Sequence, residues 1–383
     1  MINKVDRMEN WLETSRSVIQ QACTPWGIKA SLTDLDNYSA IFTRDAVMAG
    51  IAGILHNDRE IIEGFKQTII NLKILQGKQG QIASNFKVTE GIISDVSFGT
   101  LSPKIDACTW YLIGVGLLIK KGIIAQDSFK ESISLTISLL DGLEYNGKHL
   151  MYIPKGGNWA DEYIYEGYIL YDQVLRSWGL SLLGELYQED SWRSKSVRIK
   201  ECLSKQYQNK ETNYYDSSLY PGGSFSRFDL AAHSLAGFIF DEDDLFYDKT
   251  LDRIYEQFIA ADKLPPAFHP VINTDDPEWM ALRGYHLFDF KNKPYHYHNG
   301  GIWCIWLGWL SIAFSLYDKD DELDKLNSTA FELLNSFEEF DFEEYISSDK
   351  LQLYGTKKLC YTATGIIMLI LADQKADFSI LKC

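Results

Sequence analysis

The sequence has few cysteines and no apolar run long enough to cross a membrane. Its six cysteines are scattered along the chain, at Cys23, Cys108, Cys202, Cys304, Cys360 and Cys383. Their spacing fits neither a disulfide framework nor a zinc site, so it predicts reduced thiols in a cytoplasmic protein. The longest apolar run, at residues 302–316, is interrupted by Ser and Gly and is too short for a membrane helix. The N-terminal residues also lack the basic start and apolar block of a secretory signal.

Positive charge is also scarce, because 37 Lys and Arg face 53 Asp and Glu, for a formal net charge of -16. Nucleic acids and anionic membranes bind basic surfaces, so this balance argues against both as partners. Nor does the chain contain a Gly-rich phosphate loop after a strand or the Gly-x-Ser-x-Gly turn of serine hydrolases. Aromatic residues are plentiful instead, at 14%. They favour a protein that stacks rings on an uncharged sugar, although they also fill cores.

Helical periodicity dominates the chain, and period-2 alternation is scarce. The pattern predicts twelve helices, at about residues 5–23, 43–56, 59–76, 106–121, 127–143, 168–188, 191–209, 227–240, 243–261, 301–317, 321–338 and 356–373. The odd-numbered ones have one apolar stripe, which indicates one buried side. The even-numbered ones are apolar nearly all round, which indicates burial on every side.

Six buried helices that alternate with six amphipathic ones predict an all-α fold, the (α/α)6 toroid. In this fold six helical hairpins form an inner ring of parallel helices and an outer ring around it. No repeat of fixed period is visible, so the prediction rests on helix type alone. It implies one domain, residues 1–383.

The links between the predicted helices differ in length. Links from an inner to an outer helix are short, whereas the six from an outer to an inner helix are long, at residues 24–42, 77–105, 144–167, 210–226, 262–300 and 339–355. Long links in a compact domain are usually functional or disordered, and these have too many aromatics for disorder. We expect all six to meet at one end of the ring and to line a ligand site there.

Each long link brings a polar cluster to the helix that follows it. In link order the clusters are Tyr38, Arg44 and Asp45; Asp106 and Trp110; Trp159, Asp161, Glu162 and Glu166; Arg227, Asp229 and His233; His296, His298, Asn299 and Trp303; and Glu343 and Glu344. Some have structural alternatives, since Arg44 with Asp45 could equally form an ion pair. The two histidines of the fifth link lack a third ligand at metal spacing, so neither a metal nor another cofactor is predicted.

A pair of carboxylates is the chemistry that these clusters support best. Hydrolysis of a glycosidic bond needs one acid to protonate the leaving oxygen and a second carboxylate to activate water or attack the sugar. Asp161 and Glu344 lie on different long links and could converge across the mouth of the ring. Trp159 and Tyr163 beside Asp161 would raise its pKa by desolvation, as a proton donor requires.

Several motifs between Tyr38 and Gly365 resemble those of the alkaline and neutral invertases. More distant relatives are the processing α-glucosidases and the glucosidase part of glycogen debranching enzymes. The motifs are Thr43-Arg44-Asp45, Ile105-Asp106-Ala107 with Trp110, residues 225–232, residues 297–303 (Tyr-His-Asn-Gly-Gly-Ile-Trp), and Glu344-Tyr345 with residues 354–358. The resemblance implies a six-hairpin glycoside hydrolase with an inverting mechanism, in which Asp161 is the general acid and Glu344 the general base.

The resemblance also implies which residues bind the sugar and where the chain departs from the family. Residues 159–163 read Trp-Ala-Asp-Glu-Tyr where the invertases have Met-Ile-Asp-Arg-Arg. We predict an exo-acting enzyme for a small α-glucoside or sucrose-like substrate. Glu162, Glu166 and Glu343 are rivals for the catalytic roles. The predicted binding residues are Tyr38, Arg44, Asp45, Asp106, Trp110, Trp159, Tyr168, Gln173, Arg227, His298, Asn299 and Trp303.

Two other classes of function remain open at the level of sequence. A sugar epimerase or isomerase on the same toroid would use His233 and His298 as acid and base. A carbohydrate-binding protein with an inactive site would keep the binding residues alone. The oligomeric state is not predicted.

Overall fold

The structure is a computed structural model that describes residues 4–33, 37–100 and 102–382. Within these ranges, thirteen α-helices, α1 to α13, occupy Lys4–Ala22, Thr43–His56, Arg59–Ile74, Asp106–Lys120, Lys130–Asp141, Leu170–Tyr187, Asp190–Gln206, Leu230–Ala236, Leu245–Gln257, Trp279–Arg283, Cys304–Leu316, Asp320–Ser336 and Cys360–Asp373. Short 3-10 helices lie at Gln126–Phe129, Ile259–Ala261 and Ser379–Leu381. All twelve predicted helices are present, and α10 is additional.

The largest difference in helix bounds is at α8, predicted at residues 227–240 and observed at Leu230–Ala236. Phe228 and Asp229 are extended here because they pair with Phe268 and His269. Asp229 then caps the helix, since its carboxylate accepts from the amide of Ala232. Helical periodicity does not reveal such a start, because two extended residues are too few to leave a pattern of their own.

Six of the helices form a closed ring of contacts. α2 contacts α4, α4 contacts α6, α6 contacts α8, α8 contacts α11, α11 contacts α13, and α13 contacts α2. These are the helices predicted to be apolar all round, and nearly all their residues are buried. Amphipathic helices lie against them: α3 on α2, α5 on α4, α7 on α6, α12 on α11 and α1 on α13.

Small residues let the ring helices approach closely. Gly308 of α11 faces Gly365 of α13, and a Cβ at Gly308 would lie 2.6 Å from the carbonyl oxygen of Gly365. The cores join in one apolar cluster that runs from Met8 to Leu381. Gly-rich sequences inside apolar helices therefore serve packing here.

Fourteen short strands among the described residues are the feature that the sequence did not predict. β1 to β14 are Cys23–Thr24, Gly27–Ile28, Ile41–Phe42, Asn85–Thr89, Ile92–Ser97, Tyr168–Ile169, Gln208–Asn209, Tyr214–Tyr215, Ser218–Tyr220, Gly223–Phe225, Phe228–Asp229, Phe268–His269, Tyr345–Ile346 and Leu353–Tyr354. Every paired set is antiparallel. Most are two or three residues long, too short for alternation to be visible. The protein is thus mainly helical, with small sheets in the long links.

Backbone hydrogen bonds join the six long links into a circle. Each joint pairs residues that lead into a ring helix with the next long link, and the last returns to the first. The joints are Phe42 with Asn85, Ile105 with Gly157, Tyr168 with Leu219, Asp229 with Phe268, Ile302 with Ile346, and Leu359 with Ser31. The long links therefore meet, as expected, where the ring helices begin.

Two further predictions concern membranes and thiols. Among the described residues, no helix has the length and apolar character needed to cross a membrane. Cys23, Cys108, Cys202, Cys304 and Cys360 are free thiols. The sixth, Cys383, lies outside the described residues.

Candidate active site

Glu344, the predicted general base, lies on the sixth long link directly before β13. The phenol of Tyr38 donates a 2.7 Å hydrogen bond to its Oε1, and Glu344 is only 5% exposed. Oε2 has no hydrogen-bond partner among the described residues. Burial raises the pKa of Glu344 more than Lys291 and Tyr38 lower it, so its pKa lies above the ordinary glutamate value.

A glycine makes room for this carboxyl group. Pairing of Tyr345 with Tyr354 brings Gly355 beside Glu344. Gly355 has a φ of +84°, and a Cβ there would lie 2.4 Å from Oε2 of Glu344. A side chain at position 355 would therefore displace the carboxyl group.

Asp161, the predicted general acid, lies on the third long link with its side chain 38% exposed. Its Oδ2 is 3.4 Å from Nζ of Lys104. Burial acts to raise the pKa of Asp161, but Lys104, His298 and Arg44 outweigh it, and the pKa lies below the ordinary aspartate value. The expectation that aromatic neighbours raise this pKa is therefore wrong in its net direction, because the Lys104 ammonium lies beside Asp161. No sequence motif reveals that contact.

Asp161 and Glu344 act on the same neighbours. Burial is the main cause of the raised pKa values of Tyr38, Tyr297 and Asp45, and the pKa of Asp45 is raised to about 6. Both carboxylates raise these three pKa values further. Each of these groups must lie within electrostatic reach of both carboxylates. The third, fifth and sixth long links thus deliver titratable groups to one space.

The first turns of α2 and α4 are joined below this space by an ion pair. Nη1 of Arg44 donates a 2.6 Å hydrogen bond to Oδ2 of Asp106, which is 1% exposed. Arg44 therefore pairs with Asp106 rather than with its sequence neighbour Asp45. Trp110 donates at 2.8 Å to the hydroxyl of Tyr171, which lies 3.5 Å from Oδ2 of Asp106.

Aromatic rings form one wall of the site. Trp159 lies edge-on to His298 at 5.0 Å, and His298 stacks on Trp303 at 5.6 Å. His298 is 1% exposed and its Nδ1 has no partner among the described residues. Burial lowers its pKa to about 3 despite the opposing charge of Asp161. His298 is therefore neutral at pH 7, with one ring nitrogen unoccupied.

Three predicted binding residues are occupied by the protein itself. Gln173 bonds both backbone groups of Met151 at 2.9 Å, and Asn299 bonds both backbone groups of Ile272. Both amides are fully buried. Trp110 is fully buried as well, against other tryptophans of the ring. We expect these side chains to hold the links in place, and direct contact with a sugar is not proposed for them.

Arg227, Tyr168 and His233 also lie apart from the two carboxylates. Arg227 donates to the carbonyl of Pro270 at 2.5 Å and pairs with Glu278 at 3.2 Å, so it fastens the fourth link to the fifth. Tyr168 packs edge-on against a neighbouring tyrosine, without a contact to either carboxylate among those of the described residues. His233 is fully buried with both ring nitrogens bonded to backbone atoms, which removes it as an acid or base for an epimerase.

The rival carboxylates differ in their surroundings. Glu166 is exposed. Glu343 accepts the amide of Asp341 at 2.9 Å and pairs with Lys357 at 3.6 Å. Glu162 is half-buried, and burial together with Asp161 raises its pKa. Glu162 is thus the one rival that belongs to the same electrostatic cluster.

Lys104, Lys291 and Tyr297 lie at the site although no pattern in the sequence singles them out. Nζ of Lys291 lies 5.0 Å from the ring centre of Tyr297 and contributes to the pKa of Glu344. Tyr297 lies in a recognised motif, in which only the residues that follow it were predicted to bind the sugar. The two lysines stand in no pattern that periodicity or motif spacing would reveal.

Comparison with known proteins finds one matching family. Residues 257–377 match the sequence model of the alkaline and neutral invertases. The match covers less than half of the chain, so it shows a resemblance to this family. The matched range holds His298, Trp303, Glu344 and Gly355, whereas Asp161 lies outside it. No protein of curated function matches the chain.

Solved structures resemble the chain over nearly its whole length. The mannosylglycerate hydrolase from Thermus thermophilus in complex with glucose has 12% identity and a TM-score of 0.67, over 94% of this chain and 99% of that one. A structure described as a wild-type glycosidase has 11% identity and a TM-score of 0.63, over 98% and 99%. The rhamnosidase from Klebsiella oxytoca with rhamnose bound has 9% identity and a TM-score of 0.65, over 97% and 65%. At these identities the likeness shows the fold alone.

Proposed function

We propose that the protein is an inverting, exo-acting glycosidase for a small α-glucoside or sucrose-like carbohydrate. Asp161 protonates the leaving oxygen and Glu344 removes a proton from the attacking water. The observation that carries the proposal is the set of neighbours that the two carboxyl groups share, since both act on Tyr38, Tyr297 and Asp45. The pKa of Asp161 is lowered and that of Glu344 is raised, so the division into acid and base rests on the resemblance to the invertases and not on these shifts.

The architecture that we propose is the (α/α)6 toroid, with residues 1–383 as one catalytic domain. The closed ring of helix contacts, the helices outside it and the single apolar cluster support this. The free thiols support a cytoplasmic location.

Glu344 suits the role of base. A hydrogen bond from Tyr38 to Oε1 favours the ionised form of Glu344. A raised pKa makes the carboxylate a stronger base once it is ionised. Conversely, a lowered pKa makes Asp161 a stronger acid once it is protonated. The productive form, with the proton on Asp161 and not on Glu344, is then a minor fraction of the free enzyme.

The floor of the site supports exo action. Trp110 donates to Tyr171 and packs on Trp309, and Trp306 packs edge-on against Trp159. Because indoles fill the ring, we expect a substrate to enter from the mouth alone, which suits action at a chain end. Arg44, Asp45, Asp106, Trp159, His298 and Trp303 bind the terminal sugar in this proposal, and Tyr38 acts through Glu344.

The test is hydrolysis of a panel of α- and β-glycosides, with the first product observed by proton NMR before it mutarotates. The proposal expects a sugar of inverted anomeric configuration. A product of retained configuration contradicts the assignment of Glu344 as a base. Binding of sugars without turnover across the panel would instead favour an inactive carbohydrate-binding protein.

A further inference from the structure

Lys104 makes the one ion pair that the structure gives to Asp161 among the described residues. Its Nζ lies 3.4 Å from Oδ2 of Asp161 and donates a 2.6 Å hydrogen bond to the carbonyl of Gly156. The lysine side chain is 12% exposed, so an ammonium is held in a largely dry position. No hydrogen bond within the described residues engages Oδ1 of Asp161.

The backbone fixes this ammonium in place. Ile105, the next residue, donates its amide to Gly157 at 2.7 Å, so two adjacent residues of the second link bind two adjacent residues of the third. Gly156 has a φ of +71°, and a Cβ there would lie 2.6 Å from the carbonyl oxygen of Asp161. The turn that receives Lys104 is therefore folded tightly around the backbone of Asp161.

We propose that Lys104 is a positioning residue for the general acid: its ammonium holds Oδ2 of Asp161 and leaves Oδ1 to meet the leaving-group oxygen. This inference rests on the proposed function. In the reaction the proton of Asp161 passes to the glycosidic oxygen as the bond from that oxygen to the anomeric carbon breaks. Water attacks the anomeric carbon and loses its proton to Glu344.

The charge of Lys104 matters most in the transition state. Asp161 changes from a neutral acid to a carboxylate as it gives up its proton, and a nearby ammonium stabilises that developing charge. An interaction that strengthens toward the transition state accelerates the step. Lys104 thus makes Asp161 a stronger acid, while it reduces the fraction of Asp161 that carries a proton.

Other groups face Asp161 and remain when Lys104 is changed. They are Arg44 and Asp45 of α2, Tyr38, the adjacent Glu162, Tyr285, Tyr297, His298 and Glu344. Among the charges that lower the pKa of Asp161, Lys104 has the largest effect. Any change of pH dependence in a Lys104 variant therefore reports on this contact against a constant background.

The sign of the pH effect follows directly. Asp161 has the lower pKa of the pair and Glu344 the higher one, so the acid limb of kcat/KM reports the pKa of Asp161 and the alkaline limb that of Glu344. Removing the ammonium raises the pKa of Asp161, so the acid limb moves to higher pH. An opposite charge at this range is worth about 1 pH unit or more. The acid is also weaker, so the fall in kcat is large for a poor leaving group and small for one that leaves without a proton.

The experiment compares Lys104→Met and Lys104→Arg with the wild type on an alkyl glycoside and on the corresponding glycosyl fluoride. Lys155→Met is the matched control, because Lys155 lies in the turn that receives Lys104. Its ammonium lies over the ring of Tyr285 and makes no ion pair with Asp161 among the described residues. We expect Lys104→Met to move the acid limb upward by about 1 unit and to slow the alkyl glycoside selectively. Lys104→Arg and Lys155→Met should keep the acid limb of kcat/KM at its wild-type pH.

Two results overturn the inference. One is a pH profile of kcat/KM for Lys104→Met that matches that of the wild type. The other is an equal loss of activity on both substrates with the acid limb at its wild-type pH, as a merely structural role predicts. If Lys104→Met does not fold, Lys104→Gln replaces it under the same criteria. Asp161→Asn separates the two levels: full activity in that variant overturns the proposed function as well, whereas its inactivity beside an unshifted Lys104→Met overturns the role of Lys104 alone.

Discussion

The phenol of Tyr38 donates a 2.7 Å hydrogen bond to Oε1 of Glu344, and so ties the first long link to the sixth. The two residues lie 306 positions apart in the chain. Their links are neighbours because the circle of links closes between Ser31 and Leu359. A donor on a buried carboxylate stabilises its ionised form. Tyr38 therefore prepares Glu344 to accept a proton.

Tyr38→Phe removes this donor without removing the ring. The pKa of Glu344 should rise further, and because it is the higher pKa of the pair, the alkaline limb of kcat/KM should move to higher pH. A hydrogen bond to a charged group is worth about 1.5 to 3 kcal/mol, which corresponds to a shift of about 1 to 2 pH units. A pH profile of kcat/KM checks this. An alkaline limb at the wild-type pH would contradict the role given to Tyr38.

Gly355→Ala should displace the candidate base. The new Cβ would lie 2.4 Å from Oε2 of Glu344, so we expect a loss of kcat of at least about 100-fold, the low end of what a positioned base contributes. Gly91→Ala is the control, since Gly91 has a φ of +76° and a Cβ there would meet nothing within 4 Å. Both variants carry the same backbone strain. Equal activity in the two would show that Gly355 does not shape the site.

Breaking the Arg44–Asp106 pair should cost stability. Asp106 is 1% exposed, and removing one partner of a buried pair leaves an uncompensated charge, at about 3 to 5 kcal/mol. Urea unfolding of Arg44→Met should show a loss of this order, and the double variant Arg44→Met with Asp106→Asn should recover part of it. The exposed pair Arg193–Asp190 is the control, where Asp190→Ala should change the free energy of unfolding by less than about 1 kcal/mol. Additive losses in the double variant would argue against a coupled pair.

Asp229 predicts a pH dependence of stability. Burial raises its pKa to about 7, against about 3.9 in an unfolded chain. A raised folded pKa gives stability that is present below about pH 4 and is lost as the pH rises to about 7. Asp229→Asn, which retains a capping oxygen, should therefore gain stability relative to the wild type at pH 8 and not at pH 4. Unfolding curves at the two pH values decide this, and the same difference at both would refute the shifted pKa.

The sequence predicted the helices because burial on one side leaves apolar residues at a period of 3.6. Burial on all sides leaves a segment that is apolar all round. It did not predict the strands that pair Phe42 with Asn85 or Ile302 with Ile346, since such short strands leave no period. Each nevertheless sets the residue at which a ring helix begins. The circle of links could be expected in outline, but its hydrogen bonds could not.

The site shows the same division. Asp161 and Glu344 could be named from the resemblance. For Arg44, however, the sequence suggests its neighbour Asp45 as the ion-pair partner, whereas the actual partner, Asp106, begins another helix. Gln173 matched the family by position, yet its amide is used by Met151. Partners that arrive from a different link depend on tertiary contacts, which residue type and spacing do not encode.

The catalytic assignment of Asp161 and Glu344 is tested most directly by the dependence of activity on the leaving group. The measurement is kcat/KM of the wild type, Asp161→Asn and Glu344→Gln on an alkyl glycoside and on the glycosyl fluoride of the same sugar. A fluoride needs little protonation, so Asp161→Asn should lose nearly all activity on the alkyl glycoside and keep much of it on the fluoride. Glu344→Gln should be inactive on both, because neither substrate supplies a base for water. Rescue of Glu344→Gln by the fluoride, without rescue of Asp161→Asn, would contradict the assignment and exchange the two roles.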